Sequence, residues 1–231
     1  MATARHIQAF PIPIIIGTLG EKSRSLNEQL ISNIVEEQNN NTGENRTGVG
    51  VFQTRTHLEK SYEGFSALSE VLSIYARDSI GNTGTPSSSA KVESMWANVN
   101  SSPNAFHMPH SHSLKGDMWN GVYFPTSGLQ HWSRKPAEGS REDLDLEPEL
   151  MSSSNPPDGS LVLMDPLEFV KSGVASKNTS RYPHWGNPLV VQPKEGTVVL
   201  FPTYLPHMVT PTLKKDWVRM SIAFYVKIDD E

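Results

Sequence analysis

Hydrophobic and polar positions divide the chain into two regimes that meet near residue 90. Before that point, apolar residues recur at helical spacing. Leu26, Leu30, Ile31, Ile34 and Val35 predict one helix, with Ser25 as its N-cap. Phe65, Leu68, Val71, Leu72 and Tyr75 predict a second helix across 64–80. A short apolar strand is expected at 11–16. The Asn-, Gly- and Thr-rich stretch 37–50 reads as a loop, and the Gly/Ser/Pro/Thr stretch 82–90 as a linker.

After residue 90 the pattern changes to short strands split by turns. The apolar runs are 92–99, 119–124, 161–164, 189–191, 197–201, 207–210 and 220–226. Many short β runs with Gly, Pro and Asn between them, and no helical run among them, predict a mainly β sandwich or jelly roll. The N-terminal helices are expected to pack against it. The polar stretch 126–159 is too long for an ordinary connection, so it reads as a functional lid or a mobile insert. No internal repeat is visible. The organisation expected is one domain over 1–231, with an α+β lead-in at 1–90 and a jelly-roll core at 91–231.

Composition narrows the partners. A chain of 231 residues with 19% charged and 36% hydrophobic positions suits one globular domain. Net charge is −5 and no basic stripe is present, so nucleic acid is not an expected partner. The chain has no cysteine, which excludes disulfides, thiolate metal ligands and a cysteine nucleophile, and fits a reducing compartment. The longest apolar run, 12–16, is too short to span a bilayer. The N-terminus lacks a signal-peptide layout. The chain reads as soluble and intracellular, cytoplasmic or in an organelle after loss of a transit peptide.

The candidate chemistry lies in the histidines. Three of the eight, His107, His110 and His112, fall within six positions. In an extended segment, side chains two apart share a face, so His110 and His112 can reach one metal. His107, three away, would face differently and is the weaker candidate. Neutral imidazoles suit Fe, Zn, Cu and Ni. By itself His-x-His also fits a polar loop that happens to hold histidines. Far downstream, His207 stands just past a Pro-containing corner. Twelve residues on, Arg219 opens an alternating strand with Ser221 on its same face. Arginine pairs bidentately with a carboxylate, and the Ser221 hydroxyl can add a donor.

His110-Ser111-His112, then His207, then Arg219-Met220-Ser221, resembles the pattern of the double-stranded β-helix oxygenases that use iron(II) and 2-oxoglutarate. The stretch from Gly196 to Val226 is similar to the end of their prolyl-hydroxylase-like branch. Trp96-Ala97-Asn98-Val99 and Asn120-Gly121-Val122-Tyr123-Phe124 are similar to a group whose first motif is His-x-His. The resemblance covers about residues 92–227 and is silent about the substrate. It implies Fe(II) held by His110, His112 and His207, and 2-oxoglutarate anchored by Arg219 and Ser221, with Asn98 and Tyr123 as further contacts. Molecular oxygen and a small-molecule or side-chain substrate complete the implied reaction, which ends in hydroxylation or another C–H oxidation. Trp119, Trp132 and Trp185 would shape the substrate mouth or pack in the core.

One departure matters. The family's usual site is two histidines and a carboxylate, and His112 stands where the carboxylate belongs. Asp117, five residues on, is the alternative ligand if the loop folds back. Competing readings remain: a cupin-like metalloenzyme that does not use 2-oxoglutarate, a non-catalytic jelly-roll binding module, or a structural jelly roll.

Overall fold

The computed structural model describes residues 12–20, 23–44, 46–112, 118–130, 149–150, 158–166, 188–213 and 217–228. Asp117, Trp132, Trp185 and most of the 126–159 stretch lie outside the described residues.

The described strands form two antiparallel sheets. The larger contains β1 (Ile15–Thr18), β3 (Val51–Gln53), β4 (Lys91–Asn100), β6 (Met118–Tyr123), β11 (Thr197–Pro202) and β13 (Trp217–Lys227). Its order is β1-β11-β6-β13-β4-β3, and β7 (Leu129–Gln130) pairs with β13. The smaller sheet contains β2 (Gly48–Val49), β5 (Phe106–His110), β8 (Glu149–Leu150), β9 (Leu161–Leu163), β10 (Leu189–Val191) and β12 (His207–Val209), in the order β2-β5-β12-β9-β10-β8. This is the expected jelly roll, and both predicted helices pack against it.

Strand alternation assigns the two faces of the larger sheet. Met95, Ala97 and Val99 of β4, Trp119 and Tyr123 of β6, Val198 and Leu200 of β11, and Val218, Met220, Ile222 and Phe224 of β13 share one apolar cluster with the helices. The alternate residues face the second sheet. There Val122, Phe124, Val199 and Phe201 meet Leu161, Leu163, Val191 and Leu205. Because both of its faces are covered, β11 reads as one continuous apolar run.

Helix α1 (Arg24–Asn40) starts one residue before Ser25, and Ser23 flanks it instead of the expected cap. It also runs three residues beyond Glu37, where the loop was expected to begin. Glu37 is buried and takes Arg55 Nη2 at 3.0 Å, Tyr62 Oη at 3.0 Å and Asn41 Nδ2 at 3.1 Å, which hold the last turn. Helix α2 (Glu63–Gly81) buries Phe65, Leu68, Leu72, Ala76 and Ile80 on one stripe, and each large apolar side chain so buried contributes about 1.5–3 kcal/mol. Val71 falls off that stripe and is 41% exposed.

One glycine makes the central packing possible. Gly121 is the register partner of Phe224, and a Cβ at 121 would run into the Phe224 ring. Gly121→Ala is expected to destabilise the protein by about 1–3 kcal/mol through overpacking. A thermal unfolding comparison with the wild type checks this.

Candidate active site

Three imidazoles converge at one end of the space between the sheets. His110 closes β5 and His207 opens β12, and the two are register partners. His112 lies two residues beyond β5. Its backbone N–H donates to Thr203 O at 3.0 Å, tying this segment to the corner before His207. The ligand-capable nitrogens of the three residues all lie within 4.8 Å of one another. His112 Nε2 and His207 Nε2 are 3.3 Å apart. Two nitrogens each about 2.1 Å from one ion at right angles stand about 3 Å apart, so the spacing suits a shared metal.

The outer nitrogens are also arranged for this. His110 Nδ1 donates to Met108 O at 2.7 Å and His207 Nδ1 donates to Leu205 O at 2.9 Å. Both leave Nε2 unprotonated toward the centre, as a ligand requires. His112 Nδ1 is 2.6 Å from Tyr225 Oη, which can accept its proton in the same way. Trp96 packs on Tyr225 with ring centroids 5.0 Å apart.

Burial keeps the His207 and His112 rings neutral. It pushes His207 down to about 3, helped by His110 and His112 and opposed by the Leu205 carbonyl. It pushes His112 down to about 4, with His110 adding to the effect. His107 also falls to about 3, through burial and then through Arg219, His110 and His207. In each case the unfolded chain takes up a proton near pH 6.5 and the folded chain only near 3 to 4. Between those values the unfolded state holds more protons, so stability of the metal-free protein falls as pH falls. The expected slope is about 1.4 kcal/mol per pH unit for each histidine. Chemical denaturation from about pH 7 to about pH 4 measures it, and His107→Phe should remove about one third of the slope.

Arg219 lies deeper on the same inner face. Arg219, Ser221, Ala223 and Tyr225 alternate along β13, so one strand carries both the buried cation and the tyrosine that touches His112. Arg219 is 1% exposed. Its Nε donates to Gly159 O at 2.7 Å and its Nη1 to Ser221 Oγ at 2.9 Å. Its guanidinium stands 5.2 Å over the Phe124 ring. Burial pushes Arg219 down to about 9, which leaves it charged at neutral pH. Among the described residues no carboxylate pairs with it. A buried charge without a counter-ion is costly.

The inner surface carries further orphaned polar atoms. Asn98 Oδ1, both amide atoms of Asn100, Asn120 Nδ2 and His107 Nε2 are buried without a hydrogen-bond partner. Buried polar groups in folded proteins are normally paired. Three inward imidazoles, an uncompensated arginine and unpaired amides therefore fit a divalent metal with a small dicarboxylate.

Most of the sequence expectations meet here. His110, His112 and His207 are brought together, and Asn98 lies opposite Ser221 in register. Tyr123 is a correction. It sits on the opposite face of the sheet, where its hydroxyl donates to Asn27 Oδ1 at 2.5 Å. Trp119 packs on that face as well. His107 is a second correction. His107 and His110 oppose Val209 and His207, with two residues of β5 facing one of β12. This β-bulge turns both histidines to one side. Tyr225 and Gly159 were not anticipated. Continuing the alternation from Arg219 and Ser221 would have found Tyr225. Gly159 has φ +65° and contributes only its carbonyl; a Cβ there would lie 3.0 Å from Arg219 Cδ.

A jelly roll with three converging imidazoles and a buried arginine that no described carboxylate pairs has the donor set that a metal and a dicarboxylate require. Residues 94–225, more than half of the chain, match the family described as "Putative 2OG-Fe(II) oxygenase", and the chain belongs to that family. Iron(II) and 2-oxoglutarate are accordingly its cofactors. The fold is similar to that of a Pseudomonas putida prolyl-4-hydroxylase, at 12% identity and TM-score 0.54, covering 95% of this chain and 94% of that one. It is also similar to HygX from Streptomyces hygroscopicus, whose structure has nickel and 2-oxoglutarate bound, at 11% identity and TM-score 0.56, covering 93% and 82%. A Trichoplax adhaerens prolyl hydroxylase in complex with a hypoxia-inducible-factor peptide matches at 12% identity and TM-score 0.53, covering 92% and 82%. At these identities the likeness is one of fold. No curated protein sequence matches the chain. No described helix is long and apolar enough to cross a membrane.

Proposed function

We propose that this oxygenase holds iron(II) through Nε2 of His110, His112 and His207, and binds 2-oxoglutarate with its distal carboxylate on Arg219 and Ser221. The observation that carries this reading is Arg219: a buried, charged guanidinium with no carboxylate partner among the described residues, on the strand that also touches the histidine cluster. Iron and 2-oxoglutarate, when bound with oxygen, supply the oxidation of a C–H bond, with 2-oxoglutarate converted to succinate and CO2. The chain's own residues set the geometry. Met108 O and Leu205 O fix two imidazoles, and Tyr225 fixes the third. Gly159 O and Ser221 aim the guanidinium, and Asn98 lines the space between it and the metal. Phe124, Phe201 and Leu163 keep water from the pocket wall, which strengthens the pairing of charges inside it.

The finer outcome we assign is hydroxylation of a small molecule or a protein side chain, by one oxygenase unit formed over residues 1–231, with neither nucleic acid nor membrane as partner. The cysteine-free composition supports work in a reducing intracellular compartment. The test is anaerobic iron loading followed by oxygen. One iron per chain is expected, together with 2-oxoglutarate-dependent release of succinate. A chain that binds no iron, or binds it and releases no succinate in coupled or uncoupled turnover, would refute the assignment.

A further inference from the structure

A histidine outside the three-residue cluster lies within electrostatic reach of both that cluster and Arg219. His107 is buried, and among the described residues its Nε2 has no hydrogen-bond partner. Its other nitrogen, Nδ1, is 3.4 Å from Thr47 Oγ1. With the Thr47 hydroxyl donating to Nδ1, Nε2 carries the ring proton and is an unused donor. A histidine that merely fills a core finds a partner for each polar atom, and this one does not.

Strand register places that donor. His110, His207 and Leu163 form one level across β5, β12 and β9, and this is the metal level. His107, Val209 and Leu161 form the next level, two residues along β9 and β12. At 3.2–3.4 Å per residue the two levels are about 7 Å apart. Two residues before β9, in the turn that leads into it, comes Gly159, whose carbonyl holds Arg219. His107 therefore stands between the metal level and the base of the arginine, and Arg219 is close enough to disfavour its protonation. 2-Oxoglutarate is a five-carbon dicarboxylate whose four C–C bonds of about 1.5 Å let its two ends reach groups about 7 Å apart.

We infer that His107 is a 2-oxoglutarate-binding residue, its Nε2–H donating to the distal carboxylate that Arg219 and Ser221 hold. This rests on the anchoring role proposed above for Arg219. It gives the carboxylate a donor from the smaller sheet to complement those from the larger one. The β-bulge in β5 is what turns His107 to the pocket, so the same irregularity serves both the metal level and the anchor level.

The test compares wild type, His107→Phe and His107→Gln in anaerobic titrations of the iron-loaded protein with 2-oxoglutarate, with iron affinity measured separately. His107→Phe should keep iron and weaken 2-oxoglutarate about tenfold or more, the effect of losing a hydrogen bond to a charged group. His107→Gln, which returns an N–H donor, should bind 2-oxoglutarate within about threefold of wild type. Unchanged 2-oxoglutarate affinity in His107→Phe would overturn the inference, as would parallel loss of iron and 2-oxoglutarate in both variants. Should His107→Phe not fold, nitrogen NMR of zinc-loaded wild type decides, with the ring N–H assigned by its absence in His107→Gln. A shift on adding 2-oxoglutarate supports the contact, and an unmoved resonance overturns it. Failure of the underlying reading looks different: Arg219→Met would then bind 2-oxoglutarate as well as wild type, whatever His107 does.

Discussion

Arg219→Met is expected to retain iron and to lose 2-oxoglutarate, with the dissociation constant rising by about thirtyfold to a few thousandfold. The range follows from about 2–5 kcal/mol for removing one partner of a buried charge pair. The separation of the two ligands is the informative part. Arg219 lies on β13 and its hydrogen bonds run to Gly159 and Ser221, not to the three clustered histidines. Iron affinity should therefore hold. The metal-free protein should change little in stability, because two effects oppose each other. Its wild-type guanidinium is fully buried and faces no carboxylate among the described residues, so it bears a desolvation cost that Met removes. Against that stands the Gly159 carbonyl, left without its donor, at about 1–3 kcal/mol. Titrations of each ligand and denaturation with and without 2-oxoglutarate check all three points. Loss of iron together with 2-oxoglutarate would contradict the division of roles.

The residues that were legible in the sequence are those whose chemistry is unusual and whose spacing is regular. His110 and His112 share a face by the simple two-residue rule, and Arg219 and Ser221 do so on β13. The strand at 189–191 appears with the bounds expected. What misled were features set by tertiary context. Tyr123 follows the metal loop in sequence, but β6 is covered on both faces, so its apolar pattern does not tell Tyr123 from Val122. Val122 turned inward and Tyr123 outward, against Asn27 of α1. His107 was misplaced because a bulge breaks the period of two, and no residue in Phe106–His110 announces it. Helix α1 outran its expected end because Arg55, Tyr62 and Asn41 converge on Glu37, a contact no local pattern encodes. Gly159 acts through a carbonyl that every residue possesses.

The same contrast governs the prediction that bears most on the metal. His207→Ala should abolish iron binding, since it removes the buried member of the proposed ligand set. His112→Ala is the more discriminating change. If His112 is a ligand, its loss should weaken iron by more than the roughly 10- to 100-fold typical of outer-shell partners. Tyr225→Phe sets that scale internally, because Tyr225 touches His112 and would act on the metal only through it. The expected order is therefore His207→Ala and His112→Ala severe, Tyr225→Phe intermediate, and Asp117→Asn without effect. The geometry favours His112, whose Nε2 stands 3.3 Å from His207 Nε2. If both Nε2 atoms carry lone pairs, that approach is repulsive unless a cation lies between them. A set of three neutral imidazoles would also leave the metal site one unit more positive than two imidazoles and a carboxylate, so binding of an anionic co-substrate would be reinforced at the metal as well as at Arg219. His112→Ala no worse than Tyr225→Phe, together with loss of iron in Asp117→Asn, would reverse the assignment and restore a carboxylate to the site.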